Sequence, residues 1–192
     1  MEKIVIGSNL PKNLLDIDFG VEKNIKLLSE AKNKKISDLN ACVLKRPRHD
    51  KIVRELEKMS VKINYITDGD IAGALSVIGD NPKNDIYYST GGGPEGVLVA
   101  AALSCYGGQI QGRLVLNEDE KVRAKKLGIK DFNKKYNIED MVKGDVIFCA
   151  TGVTSGDLAS GVKDLGNEFE VNTFSLHKSQ NIIKSVRNIY NK

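Results

Sequence analysis

The sequence predicts an α/β protein, a layered sandwich around a mostly parallel sheet. Three observations predict it. Between residues 39 and 116, short apolar runs of strand length alternate with amphipathic runs of helix length. Successive apolar runs end in loops rich in charge or glycine. The 192 residues are 41% hydrophobic and 28% charged, enough apolar side chain for a core of that kind.

The elements follow in order. Residues 3–6 are a short strand at the start of the chain, and Pro11 with Asp16-Ile17-Asp18 marks loop and turn. Val21, Ile25, Leu28 and Ala31 recur at helical spacing, which predicts a helix over 21–31. Ala41-Cys42-Val43-Leu44 is continuous and apolar, as a buried strand requires. Ile52, Val53, Leu56 and Met59 share one face of a helix over 49–59. A strand at 61–66, a helix at 70–78, a strand at 85–89, a helix at 94–105 and a strand at 109–116 complete the alternation. Pro94 sits early in its helix, where a missing N–H costs nothing. Asn117 and the acidic Glu118-Asp119-Glu120 open a further helix that Gly128 closes. Residues 145–150 form another buried strand, which runs into a loop at 151–157. The chain ends in a hairpin, 169–178 against 182–190, turning near Gln180-Asn181. Consecutive parallel strands are expected to join by right-handed crossovers.

Composition narrows the function. The net charge is +4, from 29 basic and 25 acidic residues, with no block of like charge. Tryptophan is absent and only 6 Tyr and 5 Phe occur, so little is available to stack bases. A small anionic ligand is expected, not nucleic acid. No apolar run approaches the roughly 18 residues of a membrane span. The first residues lack the order of a signal peptide. Three cysteines, Cys42, Cys105 and Cys149, are widely spaced in apolar surroundings with no CxxC pair. They are expected to be buried free thiols in a cytoplasmic protein.

Three loops carry the chemistry. Lys45-Arg46-Pro47-Arg48-His49 follows the strand at 41–44 and opens a helix. Ligands of open α/β sheets bind beyond the carboxyl ends of strands, and arginine forks suit phosphate oxygens. The same cluster reads equally as a solvated basic loop. Thr67-Asp68-Gly69-Asp70 follows the next strand. Its carboxylates accept bonds from sugar hydroxyls or hold a hard metal, while one Asp is also explained as a helix cap. Thr90-Gly91-Gly92-Gly93-Pro94-Glu95-Gly96 follows the third. Its glycines admit a ligand close to the backbone, but it lacks the Lys-Ser/Thr ending of a P-loop and the spacing of a dinucleotide fingerprint. Glu95 repels a bare phosphate, so it suggests a Mg²⁺ or Mn²⁺ ligand, or else a first-turn Glu favouring the helix dipole. His49 is grouped with the basic cluster and His177 with the surface of the terminal hairpin. A phosphorylated sugar needs a cationic, an acidic and a close-approach loop together.

In that order, Arg46-Pro47-Arg48-His49, Asp68-Gly69-Asp70 and Gly92-Gly93-Pro94-Glu95-Gly96 resemble the class II fructose-1,6-bisphosphatases. These are a bacterial family of the lithium-sensitive, metal-dependent phosphatase superfamily. Gly108-Gln109-Ile110-Gln111-Gly112-Arg113-Leu114, Ala150-Thr151-Gly152-Val153 and Gly156-Asp157-Leu158 extend the resemblance to nearly the whole chain. It is to the C-terminal two-thirds of the family. Met1-Glu2-Lys3-Ile4 resembles an internal family stretch.

The resemblance implies hydrolysis of the 1-phosphate of fructose 1,6-bisphosphate, in gluconeogenesis and glycerol metabolism, with Mn²⁺ or Mg²⁺ as cofactor. Glu95 matches a metal ligand. Arg46, Pro47, Arg48, Asp68, Gly69 and Asp70 match substrate-binding stretches, and Gly92 a substrate-contacting glycine. By their chemistry the arginines are assigned to a phosphate and the aspartates to sugar hydroxyls. No catalytic residue is assigned.

The family's other acidic ligands, and its Asp-Pro-x-Glu-Gly-Thr-like signature, lie in an upstream third with no counterpart here. The 192 residues are therefore expected to be inactive alone, to be one half of a split enzyme, or to be a non-catalytic sugar-phosphate-binding module. A nucleotide-binding module is the least favoured alternative. Residues 1–33 read as a remnant of a first domain and 34–192 as the C-terminal α/β domain. Ile4, Ile6, Val21 and Ile25 are then expected to be poorly covered, with a homo-oligomer or a missing N-terminal half as partner. No membrane or nucleic-acid partner is expected.

Overall fold

A computed structural model describes all 192 residues. The chain order is β1 (Glu2–Ile6), α1 (Gly20–Lys32), β2 (Asn40–Leu44), α2 (Asp50–Lys58), β3 (Lys62–Ile66) and α3 (Asp70–Leu75). Then come β4 (Ile86–Thr90), α4 (Gly93–Tyr106), β5 (Gln109–Arg113), α5 (Glu118–Lys126), β6 (Lys135–Tyr136) and α6 (Ile138–Met141). β7 (Ile147–Thr151), β8 (Lys163–Asp164), β9 (Glu168–His177) and β10 (Ile182–Asn191) complete it.

The first six strands make one sheet in the order β3-β2-β4-β1-β5-β6. β2 is parallel to both β3 and β4, which is the part the strand–helix alternation predicts. β1 is antiparallel to β4 and β5, and β6 to β5, so four of the six strands share one direction. No crossover helix ties β1 to its neighbours, so nothing forces it to run with them.

Residues 1–33 are therefore built into this layer: β1 is flanked on both sides in the sheet, and α1 packs on the same face as α2. The expectation that Ile4, Ile6, Val21 and Ile25 are poorly covered is overturned, since all four are buried in a shared cluster with Val43, Leu56 and Ile86. The boundary read at residue 33 falls between α1 and β2, inside this continuous layer.

The opposite face carries α3 and α4. Val5, Cys42 and Tyr87 from the sheet meet Leu75, Val99 and Leu103 there. Beyond α4 lies a second, antiparallel sheet, β10-β9-β7 with β8 on β9, which contributes Phe148 and Leu176 to the same cluster. β7 is buried on one face only: Phe148 is covered, while Ile147 and Cys149 are exposed. This corrects the reading of 145–150 as a fully buried strand and of Cys149 as a buried thiol. Cys42 is buried, with its thiol pushed up to about 11 by burial, and all three cysteines are unpaired. The helix start read at Asn117 is present and closes as a capping box, Asn117 Oδ1 accepting from Glu120 N at 2.9 Å and Glu120 Oε2 from Asn117 N at 2.9 Å.

Candidate functional site

β2 leads through α2 to β3 on its one side, and β4 on its other side leads through α4 away towards β5. α2 and α4 lie on opposite faces. The chain thus leaves the adjacent ends of β2 and β4 in opposite directions. That is a topological switch point, the crevice where open α/β sheets bind ligands. The basic loop leaves β2 there and the glycine loop leaves β4 there.

Thr90, the last residue of β4, ties the two loops together. Its carbonyl accepts from Arg48 Nε at 2.6 Å, and its N–H donates to His49 Nε2 at 2.8 Å. Arg48 is otherwise exposed, with both Nη groups free. Arg46 is exposed too and bonds only the carbonyl of Lys45, at 2.9 Å. Pro47 opens a short 3-10 turn, Pro47–His49, which fixes the path between the arginines. His49 is not part of the solvated cluster: it is buried, and its Nδ1 reaches the Leu44 carbonyl at 2.5 Å.

The acidic loop splits by role. Gly69 adopts φ 83°, which L side chains rarely take, and turns the chain into α3. Neither aspartate caps that helix. Asp68 is exposed and accepts only from Gly69 N, at 2.8 Å. Asp70 points inward, where Oδ1 accepts from Ser89 Oγ at 2.8 Å and from the Tyr87 hydroxyl, and Oδ2 from Lys3 Nζ. Burial opposes its charge, but the bonds from Lys3, Tyr87 and Ser89 outweigh this and hold its carboxyl below the usual carboxylate range. Burial and the bond to Asp70 both push the Tyr87 phenol well up.

Lys3 is the residue that sequence reasoning missed. Its side chain is 0% exposed and joins Asp70 to the Gly92 carbonyl at 3.3 Å. It thereby fastens the acidic loop to the glycine loop. A lysine directly before the apolar Ile4-Val5-Ile6 of a short strand was the available signal, since a buried ammonium requires a partner. The glycine loop is shaped around this pair. A Cβ on Gly91 would stand 2.7 Å from Asp70 Oδ2, and one on Gly92 would collide with the Glu95 carboxylate.

The structure thus brings together Arg48, Asp70, Gly92 and Glu95 at one end of the sheet. It leaves Arg46 and Asp68 at the rim without cross-loop bonds. Glu95 lies in the first turn of α4 and is partly exposed. No three His, Cys, Asp or Glu side chains converge anywhere in the chain to hold a metal ion. Asp70, the acid that abuts the same loop, is committed to Lys3, Tyr87 and Ser89. A Mg²⁺ ion needs about six oxygen donors, several of them water. The residues present, with Glu95 alone available, do not fit a divalent cation.

His177 is partly buried at the start of the hairpin turn. Its Nε2 meets Asp145 Oδ2 at 2.8 Å and Ser179 Oγ at 3.2 Å. Both partners share one nitrogen, so the cluster has no relay of nucleophile, base and orienting acid. No helix of the chain is long and apolar enough to cross a membrane.

A family profile described as "Bacterial fructose-1,6-bisphosphatase, glpX-encoded" matches residues 1–190. The chain is 34% identical to fructose-1,6-bisphosphatase class 2 of Haemophilus influenzae, over 99% of this chain and 61% of that protein. It is 31% identical to fructose-1,6-bisphosphatase 1 class 2 of Escherichia coli K12, over 99% of this chain and 60% of that protein. The chain therefore spans about three-fifths of the length of the curated relatives it matches. On this match, which runs through all three loops, the chain belongs to the glpX-type, class 2 family of bacterial fructose-1,6-bisphosphatases.

Proposed function

We propose that the loops after β2, β3 and β4 bind fructose 1,6-bisphosphate, and that the chain is the substrate-binding part of a fructose-1,6-bisphosphatase. The observation that carries this reading is the bond from Arg48 Nε to Thr90 O, which aims a guanidinium with both Nη groups free over the glycine loop. Two parallel N–H donors on a planar fork match two oxygens of a phosphate. Arg46 adds a second cation at the rim, and Pro47 holds the spacing between them. Asp68, exposed and bonded only to its neighbour, accepts from sugar hydroxyls. Gly69 and Gly92 let the sugar approach the backbone. Asp70 acts on the sugar through the loop it fixes, because both of its oxygens already accept bonds from Lys3, Tyr87 and Ser89.

Hydrolysis requires more than these residues hold. Glu95 contributes one carboxylate to a Mn²⁺ or Mg²⁺ site whose other ligands come from polypeptide equivalent to the part of the relatives outside the match. No hydrolytic step follows from Glu95 alone. A non-catalytic sugar-phosphate-binding module is the second reading, favoured by the absence of any converging ligand set. The three unpaired cysteines support a cytoplasmic setting for either.

Titration calorimetry with fructose 1,6-bisphosphate tests the binding claim. Saturable binding that Arg48→Ala weakens supports it, and no heat at any ligand concentration overturns it. Phosphate release on adding, as a second polypeptide, the segment of a class 2 relative that lies outside the match separates the two readings.

A further inference from the structure

The groove between α1 and α2 encloses a cavity of about 270 Å³ over β1 and β4. That volume suits a small metabolite, since drug-sized ligands fill about 300–1,000 Å³. Tyr88, from the middle of β4, lines the cavity and is only 6% exposed. Its hydroxyl is the one buried side-chain oxygen or nitrogen in the chain with no hydrogen-bond partner. A buried hydroxyl left unpaired is costly. Burial also pushes the phenol pKa well up, so the hydroxyl keeps its proton and can donate it to a bond. Asn24 lies beside it but is already spent. Its Nδ2 donates to Asp16 O at 2.8 Å, and its Oδ1 accepts from Asp16 N at 3.1 Å.

Two opposite charges line the same cavity unpaired. Lys51 and Glu55 stand four residues apart on α2, on one face, yet form no ion pair. On α1, Glu22 and Lys26 have the same spacing and do pair, at 2.6 Å. The order matters: acid before base along a helix agrees with the dipole, and base before acid opposes it. Glu2, the other acid on the wall, is neutralised by Arg113 at 2.7 Å. Ile17, Val21 and Ile52 supply apolar wall between these groups.

We propose that this cavity is a binding site for a small zwitterion with an aliphatic body, an aliphatic α-amino acid. Its carboxylate meets Lys51 and accepts from the Tyr88 hydroxyl, its ammonium donates to Glu55, and its side chain lies on Ile17, Val21 and Ile52. A simple anion would face Glu55, and a simple cation would face Lys51. A molecule that carries both charges satisfies each of them and the buried hydroxyl as well. Arg46, Arg48, Asp68 and Gly92 do not line the cavity, so the site does not depend on what the three loops bind.

Titration calorimetry of the full chain with L-leucine should show saturable binding. 4-Methylpentanoate, which lacks the ammonium, and 3-methylbutylamine, which lacks the carboxylate, should bind about tenfold more weakly or not at all. Lys51→Met and Glu55→Gln should each weaken leucine about tenfold. Tyr88→Phe should do the same, while its denaturation midpoint without leucine holds or rises, because the variant removes an unpaired buried hydroxyl. No heat with leucine up to its solubility limit overturns the proposal. So does leucine binding that all three variants leave unchanged. Equal affinity for 4-methylpentanoate overturns the zwitterion. If Tyr88→Phe fails to fold by circular dichroism, the two α2 variants decide.

Discussion

The Thr90 N–H donates to His49 Nε2 at 2.8 Å. Nε2 therefore carries no proton, and Nδ1 carries it and donates to the Leu44 carbonyl at 2.5 Å. The imidazole is a neutral strut between the end of β2 and the end of β4. Because Arg48 binds the carbonyl of the same Thr90, two consecutive residues of the basic loop hold both polar groups of one residue of the glycine loop. The loop that presents the guanidinium is thus positioned by a buried residue, which allows stability and binding to be separated by mutation.

Arg48→Ala removes an exposed side chain and leaves the His49 strut intact. Folding stability should change little. Binding of fructose 1,6-bisphosphate should weaken by about 1.5–3 kcal/mol, the range for a hydrogen bond to a charged group. Calorimetry measures the second and chemical denaturation the first. Unchanged affinity removes Arg48 from the site.

His49→Phe keeps the ring volume and removes both bonds. It leaves the Thr90 N–H and the Leu44 carbonyl unpaired, at about 1–3 kcal/mol for each buried group. Denaturant midpoints should fall accordingly, and affinity should fall with them as the basic loop loosens. A variant as stable as the parent shows that water replaces the imidazole at no cost.

Lys3→Met leaves the Asp70 carboxylate partly buried without its cation. Breaking a buried ion pair on one side costs about 3–5 kcal/mol, and here the exposure of Asp70 places the loss at the lower end. The paired change Lys3→Met with Asp70→Leu should recover most of it. A loss in the double variant equal to the sum of the losses in Lys3→Met and Asp70→Leu alone would show that the pair is not coupled.

The same pair sets an acid limit. The Asp70 carboxyl is held below its ordinary value in the folded chain by the bonds from Lys3, Tyr87 and Ser89, which outweigh its burial. The unfolded chain then binds the proton more readily, so stability rises with pH across the window. The contribution of Asp70 is fully present above about pH 4, the ordinary Asp range, and is lost as pH falls below it. Asp85, opposed by burial but held by Lys32, the Asn40 N–H and Lys34, behaves in the same direction. Denaturation measured between neutral pH and pH 3 should show a steep loss that Asp70→Asn makes shallower.

Much of this arrangement is legible in the residues. β2-α2-β3 and β4-α4-β5 follow from apolar runs of strand length alternating with helical ones, and they place all three loops at strand ends. The direction of β1 is not legible, because the short apolar run Ile4-Val5-Ile6 reads alike either way and no helix links it to β4. β6 and β8, at two residues each, are too short to show a period. Lys3 and Asp70 are 67 residues apart, so the sequence marks each as unusual without joining them. His49 reads as one more basic residue beside Arg48, and only the end of β4 above it makes it a strut.

The last prediction concerns turnover. The chain alone should release no phosphate from fructose 1,6-bisphosphate with Mg²⁺ or Mn²⁺, although it binds the sugar. A bisphosphate brings about four negative charges near neutral pH, each phosphate group carrying close to two. In-line attack adds charge to the phosphoryl oxygens, and metal ions stabilise it only when held in a defined geometry. Glu95 is one carboxylate with no converging partners, and Asp70 is committed to Lys3, Tyr87 and Ser89. A cation held by a single carboxylate exchanges freely with water and orients neither the phosphate nor an attacking water. Adding, as a second polypeptide, the segment of a class 2 relative that lies outside the match should restore turnover, and Glu95→Gln should abolish the restored activity. A phosphate-release assay of the chain alone, the mixture and the Glu95→Gln mixture distinguishes the cases. Robust release by the chain alone would show that other carboxylates reach the site in solution. No release from a mixture shown to associate would favour the binding module.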